Sequence, residues 1–176
     1  LACDATNDAA VVELRARKHR EEKPLAVMVP DVETARELAE FSDAALELLQ
    51  SVRTPIVLAR KSEPERLAHF VAPDSAEYGI MLPYTPVHHL LLKRGERLTE
   101  RAFTALVMTS GNLSDEPLCT DNQEAIERLG HIADAFVLHD RDILVGVDDS
   151  VVRDSVEGPI ILRRARGFVP FPVRMH

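Results

Sequence analysis

The sequence predicts an α/β fold, a twisted and largely open mixed sheet flanked by helices. Three observations predict it. Short apolar runs of strand character alternate with capped helical stretches, without an internal repeat or low-complexity segment. Three strand-like runs follow one another late in the chain, which favours a mixed sheet over a purely parallel one. Finally, 45% apolar residues with only 5% aromatics, in a chain of 176, suit one soluble domain with a substantial core.

The elements can be justified in order. "LACDATND" opens on what reads as the end of a strand, and Thr6 is the expected N-cap of a helix over "NDAAVVELRARK". "KPLAVMVP" is a short apolar run closed by proline; Asp31 is placed to cap "VETARELAEF" and Ser42 to cap "DAALELLQ". "TPIVLAR" and "YGIMLP" read as buried strands, the second followed by Thr85 and Pro86 as N-cap and first residue of the helix "PVHHLLLKR". "ALVM" then leads into "TSGNLSDEP". Asp121 and Glu124 have capping-box spacing for "NQEAIERL", and Gly130 stands where a helix end takes positive φ. "AFVLHD", "SVVRDS" and "PIILRRA" are the three late strands, and the two prolines of "RRARGFVPFPVRMH" read as an exit segment.

Charge and cysteine usage exclude several functions. The formal charge of -8, from 29 acidic and 21 basic residues, argues against the broad positive face that nonspecific nucleic-acid binding requires. Cys3 and Cys119 lie far apart without metal-ligand spacing, which favours a reducing compartment and hence the cytoplasm. No apolar run approaches the roughly 20 residues of a membrane span, so no membrane partner is expected.

Two motifs carry chemistry. Arg15, Arg17, Lys18, Arg20 and Lys23 put five cations into nine residues where a helix gives way to a strand. Such a cluster can be solvated charge favoured at a helix C-terminus. It can equally be an anion site, if a sharp turn makes Lys18, Arg20 and Lys23 converge, and polyphosphate is the anion that gains most from several cations. In "TSGNLS", Ser110, Asn112 and Ser114 supply neutral hydrogen-bonding groups, while Gly111 lets backbone N–H groups approach a ligand. The competing account is a polar turn with Asn112 in the left-handed region. Either way, Asp115 and Glu116 should turn aside or meet a cation. His88 and His89, adjacent on a helix, point about 100° apart and read as capping and packing residues.

Taken in order, "LACDATND", "KHREEKPLAVMV", "YGIMLPYTPVHHLLL", "LVMTSGNLSDEP", "DDSVVRD" and "LRRARGFVP" resemble the YrdC-like domain of the HypF carbamoyltransferases, which serve nickel–iron hydrogenase maturation. The K-x-R…K-P and S-x-N-x-S elements are also similar to those of the wider YrdC and TsaC family. The resemblance implies a YrdC-like fold that binds ATP on a basic concave surface. There carbamate attacks the α-phosphate, pyrophosphate leaves and carbamoyl-adenylate forms. It assigns phosphate contacts to Lys18, Arg20 and Lys23, nucleotide contacts to Ser110, Asn112 and Ser114, and further phosphate contacts to Ser150 and Arg163. It assigns no catalytic nucleophile, because adenylation needs alignment and charge neutralisation rather than a protein nucleophile. Mg2+ is implied as the companion of ATP. Asp148 and Asp149 suit either that ion or a turn before a strand.

The same resemblance makes residues 1–176 one nucleotide-binding domain of a longer chain. Acylphosphatase-like and zinc-finger segments would lie upstream of it and a C-terminal transfer domain downstream, with a hydrogenase maturation protein as acceptor. The family's glycine and aromatic residue before "LACDA" have no counterpart here. Two other functions compete. One is threonylcarbamoyl-adenylate synthesis for tRNA modification, which the wording of 78–92 and 108–117 disfavours. The other is a noncatalytic RNA- or nucleotide-binding module, which the net charge disfavours.

Overall fold

The computed structural model describes residues 1–20, 23–92, 103–113 and 116–172. The elements run β1 Ala2–Asp4, α1 Asp8–Lys18, β2 Ala26–Met28, α2 Val32–Leu38, β3 Ala39–Glu40, α3 Asp43–Gln50, β4 Ile56–Lys61 and β5 Glu77–Met81, followed by α4 Pro86–Leu92, β6 Leu106–Met108, α5 Asn122–Leu129, β7 Val151–Arg153 and β8 Ile160–Arg163. The strands form one open mixed sheet in the order β1-β6-β2-β5-β4-β7-β8, with β3 paired to the far end of β4. β2 with β5 and β4 with β7 are parallel, and the other pairings are antiparallel.

Alternation along the strands sorts side chains onto two faces. Val107, Val27, Ile80 and Val57 stand in cross-strand register on one face, and Val11, Leu38, Leu46 and Leu49 from α1, α2 and α3 belong to the same buried cluster. Met28, Met81, Ile56 and Leu106 point the other way and pack with Leu92 of α4. One face therefore carries the main core. The other is covered less completely, and it is the face that holds a cavity.

Four local expectations are corrected. The Asp4 carboxylate accepts from both the N–H (2.8 Å) and the hydroxyl (2.7 Å) of Thr6, so Thr6 closes a turn. Asn7 caps α1 instead, accepting from Ala9 and Ala10. The helix after Asp31 stops at Leu38, because Ala39–Glu40 leaves to pair with β4. Gly130 has φ -60, yet a Cβ there would lie 2.7 Å from the Ile126 carbonyl oxygen, so the glycine answers a close approach and not a left-handed turn. Residues 135–140 form no strand; Val137 is 71% exposed and pairs with no ladder. The caps at Asp31, Ser42 and Asp121 are as expected, and Thr85 accepts from the His88 N–H.

Gly167 is fixed by its surroundings. Its φ is +84, and a Cβ would fall 2.3 Å from the Arg53 carbonyl oxygen. Gly167→Ala should cost at least about 2 kcal/mol, combining left-handed strain with a backbone collision. A chemical denaturation midpoint matching the unsubstituted chain would contradict that.

Candidate functional site

A cavity of about 680 Å3 opens on the less covered face of the sheet. Its floor includes the cross-strand row Met108, Ala26, Gly79 and Leu58, and the 143–147 segment contributes apolar wall. Polar groups gather at the edge: Arg20, Thr109, Ser110, Asp148, Asp149 and Arg163.

The five clustered cations take five different environments. Arg17 faces outward, bonded to Glu13 and to Asp134 at 2.8 Å. Arg15 is buried, and its guanidinium donates to the carbonyls of Phe70 (2.6 Å), Arg20 (2.9 Å), Lys23 (3.2 Å) and Val71 (3.4 Å). It therefore ties the turn after α1 to the chain before β5, a role that a count of cations does not reveal. His19, at φ 52, caps α1 in the left-handed region and reverses the chain toward the sheet. Arg20 then reaches the cavity edge, held by the Pro24 carbonyl at 2.8 Å and near the Lys23 carbonyl and the Thr109 hydroxyl, both at 3.4 Å. Burial first, then Arg15 and Arg163, hold its pKa below the ordinary arginine value. Lys23 is exposed.

Lys18 is only 2% exposed. Its Nζ donates to the carbonyls of Ser110 (2.7 Å) and Asn112 (2.6 Å) and to Asn112 Oδ1 (3.1 Å). Three donors thus meet three oxygens of the loop after β6. Burial, then Arg20, pushes the Lys18 pKa down to about 8, which leaves the ammonium mostly charged at neutral pH. The loop is closed further from within. The Ser110 hydroxyl donates to Asn112 Oδ1 at 2.6 Å, Asn112 Nδ2 donates to the Glu116 carbonyl at 2.6 Å, and the Cys119 N–H donates to the Gly111 carbonyl at 2.9 Å. Ser110 and Gly111 line the cavity, whereas the Asn112 amide is engaged in holding the loop. Glu116 meets Arg128 at 2.6 Å, as its charge requires. Ser114 and Asp115 lie outside the described residues.

The far edge is built by the chain around β7 and β8. Ser150 is fully buried; its hydroxyl donates to the Arg166 carbonyl and accepts from the Ala165 N–H, both at 2.8 Å. It secures backbone and is not among the residues lining the cavity. Arg163 does line it, with Nε donating to the Asp149 carbonyl at 2.8 Å and Nη1 3.9 Å from Asp148. The Asp149 carboxylate is paired with Arg166 at 2.8 Å, which places this aspartate in an ion pair at the turn before β7. Tyr84 and His88 form the neighbouring wall, their rings edge to face at 4.5 Å. His88 Nδ1 is buried without a hydrogen-bond partner among the described residues, and burial lowers the His88 pKa, favouring the neutral ring.

Three of the expected positions, Arg20, Ser110 and Arg163, therefore line one cavity, and Lys18 and Asn112 are bonded directly behind Ser110. The sequence model of the family described as "Telomere recombination" (Sua5, YciO, YrdC) matches residues 1–165. The chain belongs to the Sua5–YciO–YrdC family.

Within that family its relatives include the carbamoyltransferase HypF of Synechocystis, 46% identical over 99% of this chain, and that of Rhodobacter capsulatus, 54% identical over 97%. The chain spans about a fifth of their length, 22% and 21% respectively. Among solved structures, full-length HypF in a phosphate- and nucleotide-bound form superposes with a TM-score of 0.87 at 46% identity, covering 96% of this chain and 26% of that one. HypF of T. kodakarensis superposes with a TM-score of 0.90 at 42% identity, covering 98% and 22%. P. abyssi Sua5 complexed with L-threonine has a TM-score of 0.76 at 18% identity over 93% of this chain and 46% of that one, a likeness of fold. The YrdC-like architecture and the resemblance to HypF are thus both borne out.

The Lys18 bonds generate a stability prediction. Lys18→Met keeps the length of the stem but removes the ammonium from three oxygens; the Ser110 carbonyl keeps the Asn112 N–H and Asn112 Oδ1 keeps the Ser110 hydroxyl, so the loss falls chiefly on the Asn112 carbonyl and should cost about 1–3 kcal/mol. A solvated lysine would cost almost nothing, so urea denaturation of this one variant separates the two accounts.

Proposed function

We propose that the cavity binds ATP and that carbamate attacks its α-phosphorus there, forming carbamoyl-adenylate and releasing pyrophosphate. In that step a carbamate oxygen forms the new P–O bond while the bond to the β-phosphate bridging oxygen breaks, and the electron pair leaves with pyrophosphate. The observation that carries the reading is that Arg20 and Arg163, 143 positions apart in sequence (163 − 20), line the same cavity from its two edges, where the Arg163 charge helps to hold the Arg20 pKa down. Two converging guanidiniums are unfavourable alone and favourable around a polyanion. At the Arg20 edge the Ser110–Gly111 main chain adds neutral N–H groups without introducing a competing negative charge, the Ser110 hydroxyl proton being engaged by Asn112 Oδ1. The apolar floor suits a purine base.

The residues divide the work. Arg20 and Arg163 neutralise charge on the phosphates, with Lys23 contributing from the exposed side of the turn. Lys18 and Asn112 hold the Ser110–Gly111 segment in place, and Ser150 holds the chain that carries Arg163. Ser114 completes the S-x-N-x-S element and is assigned here on the resemblance alone. Mg2+ would enter this reading as the companion of the nucleotide and would help to neutralise the phosphate charge. The described residues offer no cluster of three or more ligating side chains for a protein-held ion, and Asp149 is committed to Arg166.

The named carbamoyltransferase relatives are several times longer than this chain, which supports reading it as part of a multidomain protein. On the family resemblance, residues 1–176 are then one YrdC-like domain beside acylphosphatase-like, zinc-finger and transfer domains, and the carbamoyl group passes to a hydrogenase maturation protein. No helix among the described residues is long and apolar enough to cross a membrane. Both cysteines are free thiols, which supports a reducing compartment such as the cytoplasm as the site of action.

The deciding assay is ATP–pyrophosphate exchange by the purified chain. Exchange should depend on added carbamate and be insensitive to threonine; exchange requiring bicarbonate and threonine would assign the chain to the tRNA-modification chemistry instead. Calorimetry with Mg-ATP should show Arg20→Ala and Arg163→Ala each weakening binding by about tenfold or more. Lys23→Ala should have a smaller effect, since its ammonium lies outside the cavity lining.

A further inference from the structure

We infer that Arg166, which does not itself line the cavity, is a positioning residue that aims Arg163 and fixes the Tyr84 wall. The purpose of that aim rests on the ATP reading above, but the linkage is carried by geometry alone.

Every nitrogen of the Arg166 side chain is committed. Nε donates to Asp149 Oδ1 at 2.8 Å, and Nη2 lies 2.8 Å from the same oxygen in the ion pair; Nη1 donates to the Thr54 hydroxyl and Nη2 to the Thr54 carbonyl, each at 2.9 Å. The guanidinium carbon lies 3.5 Å from the centroid of the Tyr84 ring, a close stacked contact. The Tyr84 hydroxyl in turn lies 3.4 Å from Asp149 Oδ1. One planar cation therefore joins the entry to β4, the segment before α4 and the segment before β7. Its main chain is bound to the same place, with the Arg166 N–H donating to the Asp148 carbonyl at 3.0 Å and the Ser150 hydroxyl donating to the Arg166 carbonyl.

Asp149 connects this cation to the cavity. Its carboxylate faces Arg166, while its carbonyl holds Arg163 Nε at 2.8 Å. Arg163 is half exposed, and its other measured approach, 3.9 Å from Asp148, is too long for a hydrogen bond. The Nε tether is therefore the contact that directs this side chain, and the tether is only as firm as Asp149. Lysine cannot substitute for Arg166, because a point charge on a flexible stem neither forms the planar fork nor stacks on a ring. Replacing Arg166 should release Asp149 and Tyr84 together, and Arg163 with them.

The test uses the 176-residue chain, labelled with 15N, and two readouts. In Arg166→Lys, the Arg163 Nε–Hε resonance should shift and its exchange with solvent accelerate. The dissociation constant for Mg-ATP should rise by about tenfold, yet by clearly less, the share left to the released Tyr84 wall, when the same change is made in an Arg163→Ala background. A purely structural weakening would act equally in both backgrounds. An unchanged Arg163 resonance and exchange rate overturns the inference, as do effects that multiply to about a hundredfold in the double variant. If the unsubstituted chain binds no ATP, the ATP reading falls and the resonance readout decides the linkage alone. Should Arg166→Lys fail to fold, Asp149→Asn removes the same ion pair from the other side and carries the same expectations.

Discussion

The Lys18 ammonium is the constraint from which the rest of the site follows. A charge at 2% exposure is tolerable only where desolvation is offset by partners, and three oxygens of the Ser110–Asn112 segment provide them. This ties the last residue of α1 to the loop leaving β6. The two elements are not neighbours in sequence, and β1 pairs with β6 on the near side of that loop. Once Lys18 is fixed there, the chain must turn at His19, and the turn delivers Arg20 to the cavity while Arg15 gathers the carbonyls on the inside of the turn. A helix end, a turn and a loop are thus made mutually dependent by two buried cations whose bonds go to main-chain carbonyls and, for Lys18, to Asn112 Oδ1 as well. These neutral acceptors carry only partial charge, so both cations remain net sources of positive potential beside the cavity.

The opposite edge solves the same problem by a different means. There the carboxylate of Asp149 neutralises Arg166, and only Arg163 is left half exposed. The cavity accordingly has one edge of cations bonded to carbonyls and another of an ion pair with one arginine beyond it. A chain with formal charge -8 can in this way hold a local positive site. Several surface cations elsewhere are paired, as Arg17 with Asp134, Arg66 with Glu37 and Arg128 with Glu116. Such surface pairs add little stability, but they cancel fields that would otherwise spread the positive potential over the surface.

Much of this was legible in the sequence, and the limits have physical reasons. The order of strands and helices is written in apolar periodicity, so the mixed sheet could be read directly. Asp31, Ser42 and Asp121 could be read as caps because capping is a local bond between residues two or three apart. Thr6 failed because Asp4 competes for its hydroxyl, a choice between two local partners that pattern alone does not resolve. The 135–140 run failed because apolar content resembles a buried strand whether or not a ladder partner exists. At the site, the basic cluster and the S-G-N loop were legible as a pair, and they are in contact. Their division of labour was not. Which of Arg15, Arg17, Lys18, Arg20 and Lys23 faces the cavity depends on the left-handed turn at His19 and on where α1 lies against residues 70–71. The family resemblance pointed to Arg163, which lines the cavity, and to Ser150 as a phosphate contact, whereas Ser150 is buried and bonded to main chain; Arg166 carried no local signal, since its partners lie at Thr54, Tyr84 and Asp149.

The cavity floor completes the physical account. Along the row Met108, Ala26, Gly79 and Leu58, the two smallest residues stand side by side at the middle strands β2 and β5. A Cβ at Gly79 would sit 3.0 Å from Ile56 Cγ2 and 3.2 Å from Leu58 Cδ2, so the neighbouring side chains already lean over the space that a larger residue would need. The depression is therefore created by omission at the centre and apolar packing around it, a surface that offers no hydrogen bonds. All directional recognition must come from the edges, where the donors are held by Lys18, Asn112, Asp149 and, through Asp149, Arg166. Adenylation fits such a division. It asks for no protein nucleophile, only for a base to be accommodated and for phosphate oxygens to meet donors that do not move as charge shifts from the α-phosphate to pyrophosphate. Donors tied to main chain by buried bonds have little freedom left to lose on binding, and that rigidity is what electrostatic stabilisation of a transient charge requires.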